Sequence, residues 1–328
     1  AVPVALGAST RTLTLGNSAT HSLLGTISST GGGLIFAANA NGSTGTFALA
    51  TGNTYTGKTQ LTGGIVSGSG ESIFGGNPAS FVADQITFNG GTLSASGNIS
   101  FSSNRGITFT GSTNTLNTNA NNITLTSVCT GAGGFTKTGS GSLILAGAHT
   151  YTGATTISAG TLQLSTASER ISNSSALSLA ATTTFDLNGF SETIGSLAGA
   201  GGTVTSTTAG TLALDAGGDN TSTSYAGIIQ NGTATSIALT KSGSGTLTLT
   251  GQSTYTGNTT VNGGTLQLNR TGGTTIPITQ SIAVNNTGTL QISSAQQLVN
   301  VSLASGTTLT VDAGTTLTIT GKNFTDQR

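Results

Sequence analysis

Residues Lys241–Leu268 read KSGSGTLTLTGQSTYTGNTTVNGGTLQL, and Lys137–Leu164 read KTGSGSLILAGAHTYTGATTISAGTLQL. The two stretches share their glycines, a TYTG turn and the closing GTLQL. Each contains short runs in which threonine or glutamine separates apolar residues: Leu247/Leu249 and Leu266/Leu268 in one, Leu143/Leu145 and Leu162/Leu164 in the other. Alternation with period two places those leucines on one face of a strand. The step from Leu247 to Leu266 equals that from Leu143 to Leu162, nineteen positions, and it also joins Leu290/Ile292 to Leu309/Val311. A step that recurs at this length implies one turn of a coil, each strand landing on its equivalent in the next turn.

The spacing continues outward. Leu162 to Leu177 is a step of fifteen and Leu177 to Phe185 one of eight, while Leu266 to Ile282 is sixteen and Ile282 to Leu290 again eight. The order recurs with an offset of 104 or 105 positions, which marks an internal duplication. A degraded third copy lies upstream, where Phe47/Leu49 and Tyr55 precede Leu143/Leu145 and Tyr151 by 96 positions. Repeats of roughly 20 residues with short strands predict an all-β fold, a single-stranded parallel β-helix (β-solenoid) of about 15 coils. A β-sandwich, the alternative, predicts no fixed long-range step.

Domain organisation follows: one continuous solenoid over 1–328, an N-terminal strand or arm at 1–15, and duplicated units at 135–240 and 241–320. Within 1–15 the chain either starts the first coil or extends Ala1–Leu6 as an arm onto another subunit. Gly68–Asp84, with Pro78, reads as an irregular loop projecting from a coil. Asn114–Asn122 reads as an asparagine-rich turn or ladder, and the strands Ile86/Phe88 and Ile107/Phe109 stand a coil's length apart, at a step of twenty-one.

Composition narrows the function classes. Charged residues are 5% of the chain and balance at nine of each sign, so no patch favours nucleic acid or electrostatic membrane binding. No apolar run reaches the length of a membrane-spanning helix. The sequence contains no methionine, so Ala1 reads as a processed terminus left by a removed signal peptide. Cys129, the lone cysteine, reads as a small buried residue.

GSGTLTLTGQSTYTGNTTVNGGTLQL, with FDLNGFSETIGSLAGAGGTVT and GGDNTSTSYAGIIQ, resembles the autotransporter-associated β-strand repeat of bacterial passenger regions. The resemblance implies a parallel β-solenoid on or outside a bacterial cell, serving as a stalk, adhesin or surface fibre, and carries no catalytic residues across. Autotransporters end in a membrane β-barrel, and nothing after Thr320 reads as its strands.

Chemistry-bearing residues are few. The acids are Glu71, Asp84, Glu169, Asp186, Glu192, Asp215, Asp219, Asp312 and Asp326. Glycoside hydrolysis needs a facing carboxylate pair. Asp215 and Asp219 come nearest to one, and LDAGGDN reads as turn chemistry. A single GGD falls short of the iterated calcium-binding repeat, and His21 and His149 lack metal-ligand spacing. His149 reads as a solvated turn residue. Tyr55, Tyr151 and Tyr255 each occupy a TYTG turn, where the ring is expected to cover a corner and leave its hydroxyl wet. No catalytic, cofactor or metal residue is assigned.

The functional expectation is a structural protein of the bacterial exterior, extracellular or at the cell surface, whose coils join head to tail with copies of itself into a filament. The ends show no polar capping helix, and Lys322, Asp326 and Arg328 are the only charge cluster near the C-terminal end. An adhesin or passenger stalk contacting surface glycans or other cell-surface proteins is the alternative, and a polysaccharide-active enzyme a third.

Overall fold

The protein is described by a computed structural model covering residues 2–15, 18–38, 45–277, 279–321 and 324–326. Lys322 and Arg328 therefore lie outside the described residues. The chain forms two compact units, Ala1–Leu162 and Gln163–Arg328. Each is a parallel β-solenoid, and together they contain about 14 turns.

In the first unit the longest sheet runs from Thr20–Leu23 through Thr46–Leu49, Ile65–Gly68, Thr92–Ala95 and Asn114–Asn117 to Phe135–Thr138 and Thr155–Ile157. A second sheet carries Arg11–Thr14, Leu34–Ala37, Thr59–Leu61, Val82–Phe88, Arg105–Phe109 and Cys129–Thr130. Ile99–Phe101, Ile123–Leu125 and Ser142–Leu145 form a third face. Val4–Ala5 lies parallel against Ile27–Ser28 of the same chain.

The second unit repeats the scheme. Its longest sheet includes Thr223–Tyr225, Thr246–Leu249, Thr265–Leu268, Thr289–Ile292 and Thr308–Val311. The facing sheet includes Glu192–Ile194, Thr211–Ala216, Ser236–Lys241, Thr259–Val261, Ser281–Val284 and Asn300–Leu303.

The register expected from the leucine spacing is present. Leu247 pairs with Leu266, Leu266 with Leu290, and Leu290 with Leu309. Ile107 and Phe109 pair with Ile86 and Phe88. The short step that separates Leu247 from Leu266 belongs to the tightest coils only. Leu266 to Leu290 is a longer turn, in which Ile282 is a waypoint on the other sheet, opposite Val301, so that the two sequence intervals flanking it are parts of one coil. Longer coils carry their extra residues at the corners, where insertion leaves the ladders intact.

Alternation buries one row of each strand. Thr246–Leu249 and Thr265–Leu268 both follow the same pattern, with leucines inside and Thr246, Thr248, Thr265 and Gln267 half-buried outside. Each buried leucine contributes about 2 kcal/mol through removal from water, and no coil has a core without its neighbours. In the first unit the interior holds a ring stack, with Phe88–Phe109 centroids at 5.4 Å and Phe109–Phe135 at 5.2 Å. The end strands lack this cover. Arg11–Thr14 and Thr20–Leu23 contain no buried residue, nor do Thr308–Val311 and Leu317–Ile319 in the second unit.

Candidate functional site

The TYTG segment is a corner between two strands, and three side chains define it. Tyr55, Tyr151 and Tyr255 are fully buried. The hydroxyl of each shares a hydrogen bond of 2.7 Å with the threonine four residues on, Thr59, Thr155 and Thr259. The expectation of a wet hydroxyl is overturned. The phenol enters the interior whole, and its polar end is satisfied by a threonine buried for that purpose.

Two residues before each tyrosine stands a second buried group. Asn53 Oδ1 accepts from the Ile27 N–H at 2.9 Å, His149 Nδ1 from the Cys129 N–H at 3.1 Å, and Ser253 Oγ from the Ile229 N–H at 3.2 Å. His149 is thus no solvated turn residue but a buried acceptor for the preceding coil, which requires its Nδ1 unprotonated. Cys129 is buried as expected, and burial pushes its thiol well above the usual range.

The first residue of the two clear copies has its own role. Lys137 is buried, and its Nζ donates to Thr118 Oγ1 and to the carbonyls of Thr138, Gly139 and Ala159 at 2.7–3.0 Å. Lys241 repeats the cage with the carbonyls of Ser242, Gly243 and Gly263. Burial lowers both ammonium groups, Lys137 to about 8, and for Lys241 the nearby Asp215 and Asp219 oppose the shift. The corner suits any face: in the first unit, copy one joins the longest and second sheets, whereas copy two joins the third face and the longest sheet.

The acids are dispersed along the coils. Asp215 and Asp219 do not face each other across a cleft. Asp219 accepts from Ser196 Oγ, Thr221 N and Thr221 Oγ1 at 2.6–2.9 Å, which is turn chemistry. Burial opposes its charge, yet these bonds and the Lys241 ammonium hold the carboxyl below its usual range. Asp186 is buried and accepts from Gln163, Asn188 and Thr207. Glu192, also buried, accepts from the Arg170 and Ile171 N–H groups at 2.9 and 2.6 Å. Among the described residues no group of three His, Cys, Asp or Glu side chains gathers to hold a metal.

The segment expected to project freely, Gly68–Asp84, is instead pinned. Glu71–Phe74 forms a 3-10 turn with Ile73 and Phe74 buried. Arg105, wholly buried, donates to the carbonyls of Phe74, Gly75 and Gly76 at 2.6–3.0 Å, with Glu71 Oε2 at 3.5 Å from its Nε. Asn53 Nδ2 donates to Ile73 O, and Asn104 Nδ2 to Pro78 O. Arg105 and Glu71 lie more than a coil apart in sequence, and no spacing rule reveals their pairing.

Grooves open at two equivalent corners of the first unit. One is floored by Gly57 and bordered by Lys58, Gln60, Val82 and Gln85; the other is floored by Gly133, Gly134 and Gly153 and bordered by Thr136 and Thr156. A Cβ on Gly57 would strike the Gly32 and Gly33 backbone, and one on Gly153 the Gly133 and Gly134 backbone. Glycine on both coils lets the corner draw inward and makes the concavity. The first groove carries the Lys58–Asp84 pair at 2.6 Å, both side chains about half exposed.

Residues 43–67, 135–164 and 239–268 match the Passenger-associated-transport-repeat family. A curated relative, the adhesin BmaC autotransporter of Brucella suis biovar 1 (strain 1330), is 36% identical over 227 residues, 65% of this chain and 6% of that protein. The chain thus spans a small part of the length of the relative it matches. No solved structure matches the chain.

Proposed function

We propose that this chain, which carries autotransporter passenger repeats, is part of the displayed region of a bacterial surface or secreted protein and acts as an adhesin without enzymatic activity. The observation that supports this most is the likeness to an adhesin autotransporter over 65% of the chain, joined to a fold in which every buried acid has a structural task. A stack of short, nearly uncharged strands covered only by its neighbours suits a long presenting surface. The location outside the cell, after removal of a signal peptide, belongs to the same reading.

The test is adhesion by the isolated chain. Beads coated with it are expected to be retained on epithelial monolayers or matrix-coated glass above beads coated with albumin. Retention equal to albumin overturns the reading.

A second reading, head-to-tail assembly of copies into a filament, draws on the open strands. Val2 and Leu24 of the first unit are 84% and 67% exposed, and Val311 of the second 42%. Unpaired edges beside apolar side chains accept further strands. Fibres lengthening with protein concentration in electron micrographs are its expected result; particles of single-chain mass at all concentrations contradict it.

A further inference from the structure

We propose that the groove at the first repeat corner, with the Arg105-pinned segment at its rim, binds a neutral oligosaccharide. The inference rests on the adhesin reading and names the chemistry of one contact.

Arg105 is the starting point. A fully buried guanidinium is costly unless its donors are met, and here both Nη atoms are spent on carbonyls of a single surface segment. Asn53, Asn104 and Ser72 add bonds to the same stretch. What these contacts hold in place does not itself pack on the coil: Asn77, Ala79, Ser80 and Phe81 are exposed. Holding a tip in one conformation lowers the ordering cost when something binds to it.

The tip ends in Phe81, 49% exposed. Among the described residues it is the one aromatic side chain in the exposed class, every tyrosine being buried. Its chain neighbour Val82 borders the groove, and Asp84 lies two residues further. The groove therefore combines an open ring nearby with a carboxylate, an ammonium, the amides of Gln60 and Gln85, and the hydroxyls of Thr10 and Thr56. A flat apolar ring beside convergent donors and acceptors matches a sugar, with its C–H face and its ring of hydroxyls.

The charges select a neutral chain. Lys58 is already countered by Asp84, so a phosphate or sialic acid would meet no uncompensated cation. A protein partner would need a wide apolar core, and one ring does not supply it. The glycine floor leaves room for a backbone-close approach, and the groove is open, as an internal stretch of a glycan requires.

The experiment measures the full chain against immobilised neutral tetra- to hexasaccharides, including β-glucans, mannans and N-acetylhexosamine chains, with sialylated counterparts beside them. Binding to at least one neutral probe is expected. Phe81→Ala and Asp84→Ala should each weaken it about tenfold, while Thr136→Ala, in the other groove, leaves it unchanged. All three sites are at the surface, and unaltered thermal transitions verify that the variants fold. Absence of binding across the neutral panel, preference for the sialylated probes, or binding that survives Phe81→Ala and Asp84→Ala overturns the proposal. Bead adhesion measured on the same variants separates the two readings: adhesion kept by variants or by a chain that binds no sugar leaves the adhesin reading standing and removes this one.

Discussion

Glu192 and Gln296 stand at equivalent places in the second unit, separated by the same offset that relates the two sequence copies. Glu192 accepts from the N–H groups of Arg170 and Ile171; Gln296 Oε1 accepts from those of Thr275 and Ile276. Ile171 and Ile276 are both buried. One task, closing a corner loop by taking up two backbone donors, is thus done by an ionisable group in one copy and by a neutral amide in the other. Burial pushes the Glu192 carboxyl up to about 8, with Glu169 adding to the shift and the two backbone N–H groups and Arg170 opposing it. The difference teaches that the fold prescribes an acceptor at this position, and leaves its charge to the sequence.

The largest effect is expected on removing the acceptor altogether. Gln296→Leu leaves two buried N–H groups unmet and should cost on the order of 3 kcal/mol, read as accelerated amide hydrogen exchange at Thr275 and Ile276. Exchange at wild-type rates would show that the loop is held by something else.

Next comes the exchange of roles. A carboxyl raised in the folded state carries a proton that the unfolded chain has lost between the two titration points. Its stabilising contribution is therefore complete below the ordinary glutamate value and is lost as pH rises through about 8. Glu192→Gln should match wild type near pH 4 and exceed it at pH 9 by on the order of 2 kcal/mol in denaturant unfolding of the full chain. Gln296→Glu should import the same alkaline weakness. A pH-independent difference for either variant would break the comparison.

Smaller effects sharpen it at the TYTG corners. Tyr255→Phe removes the hydroxyl bonded to Thr259 and is expected to cost about 1 kcal/mol. His149→Asn, which installs the acceptor that Asn53 supplies in the upstream copy, should change stability at neutral pH by less than about 1 kcal/mol, whereas His149→Leu should cost about 1–3 kcal/mol. Equal losses for the Asn and Leu variants would mean that packing of the imidazole matters and its Nδ1 does not.

The fold was legible because alternation and step length survive substitution: any leucine, isoleucine or phenylalanine serves the inner row, so Leu247, Leu266, Leu290 and Leu309 announce their pairing. The corners were less so. Asn53, His149 and Ser253 share a task but no side-chain type, and each by itself reads as a turn residue. The tyrosine hydroxyls were misjudged because their threonine partners look, in sequence, like any other strand threonine. Lys137 and Lys241 did leave a signal, the same charged residue opening two copies in a chain with few charges. The pinned segment 71–81 left none, since Arg105 reaches it from a later coil.

In-register stacking underlies all of this, and the second unit offers a direct test. Outward positions Ser178, Ala198, Ser224, Thr248, Gln267, Gln291 and Thr310 follow one another up a single sheet. Six inter-strand spacings of about 4.8 Å put the first and last about 29 Å apart. Spin labels on Ser178→Cys and Thr310→Cys, with the native Cys129 buried and shielded from the reagent, report that distance by double electron–electron resonance. A narrow distribution centred near it, broadened by the label arms, is the predicted result; a broad distribution, or one centred well below about 20 Å as folded-back sheets would give, contradicts the stacked arrangement.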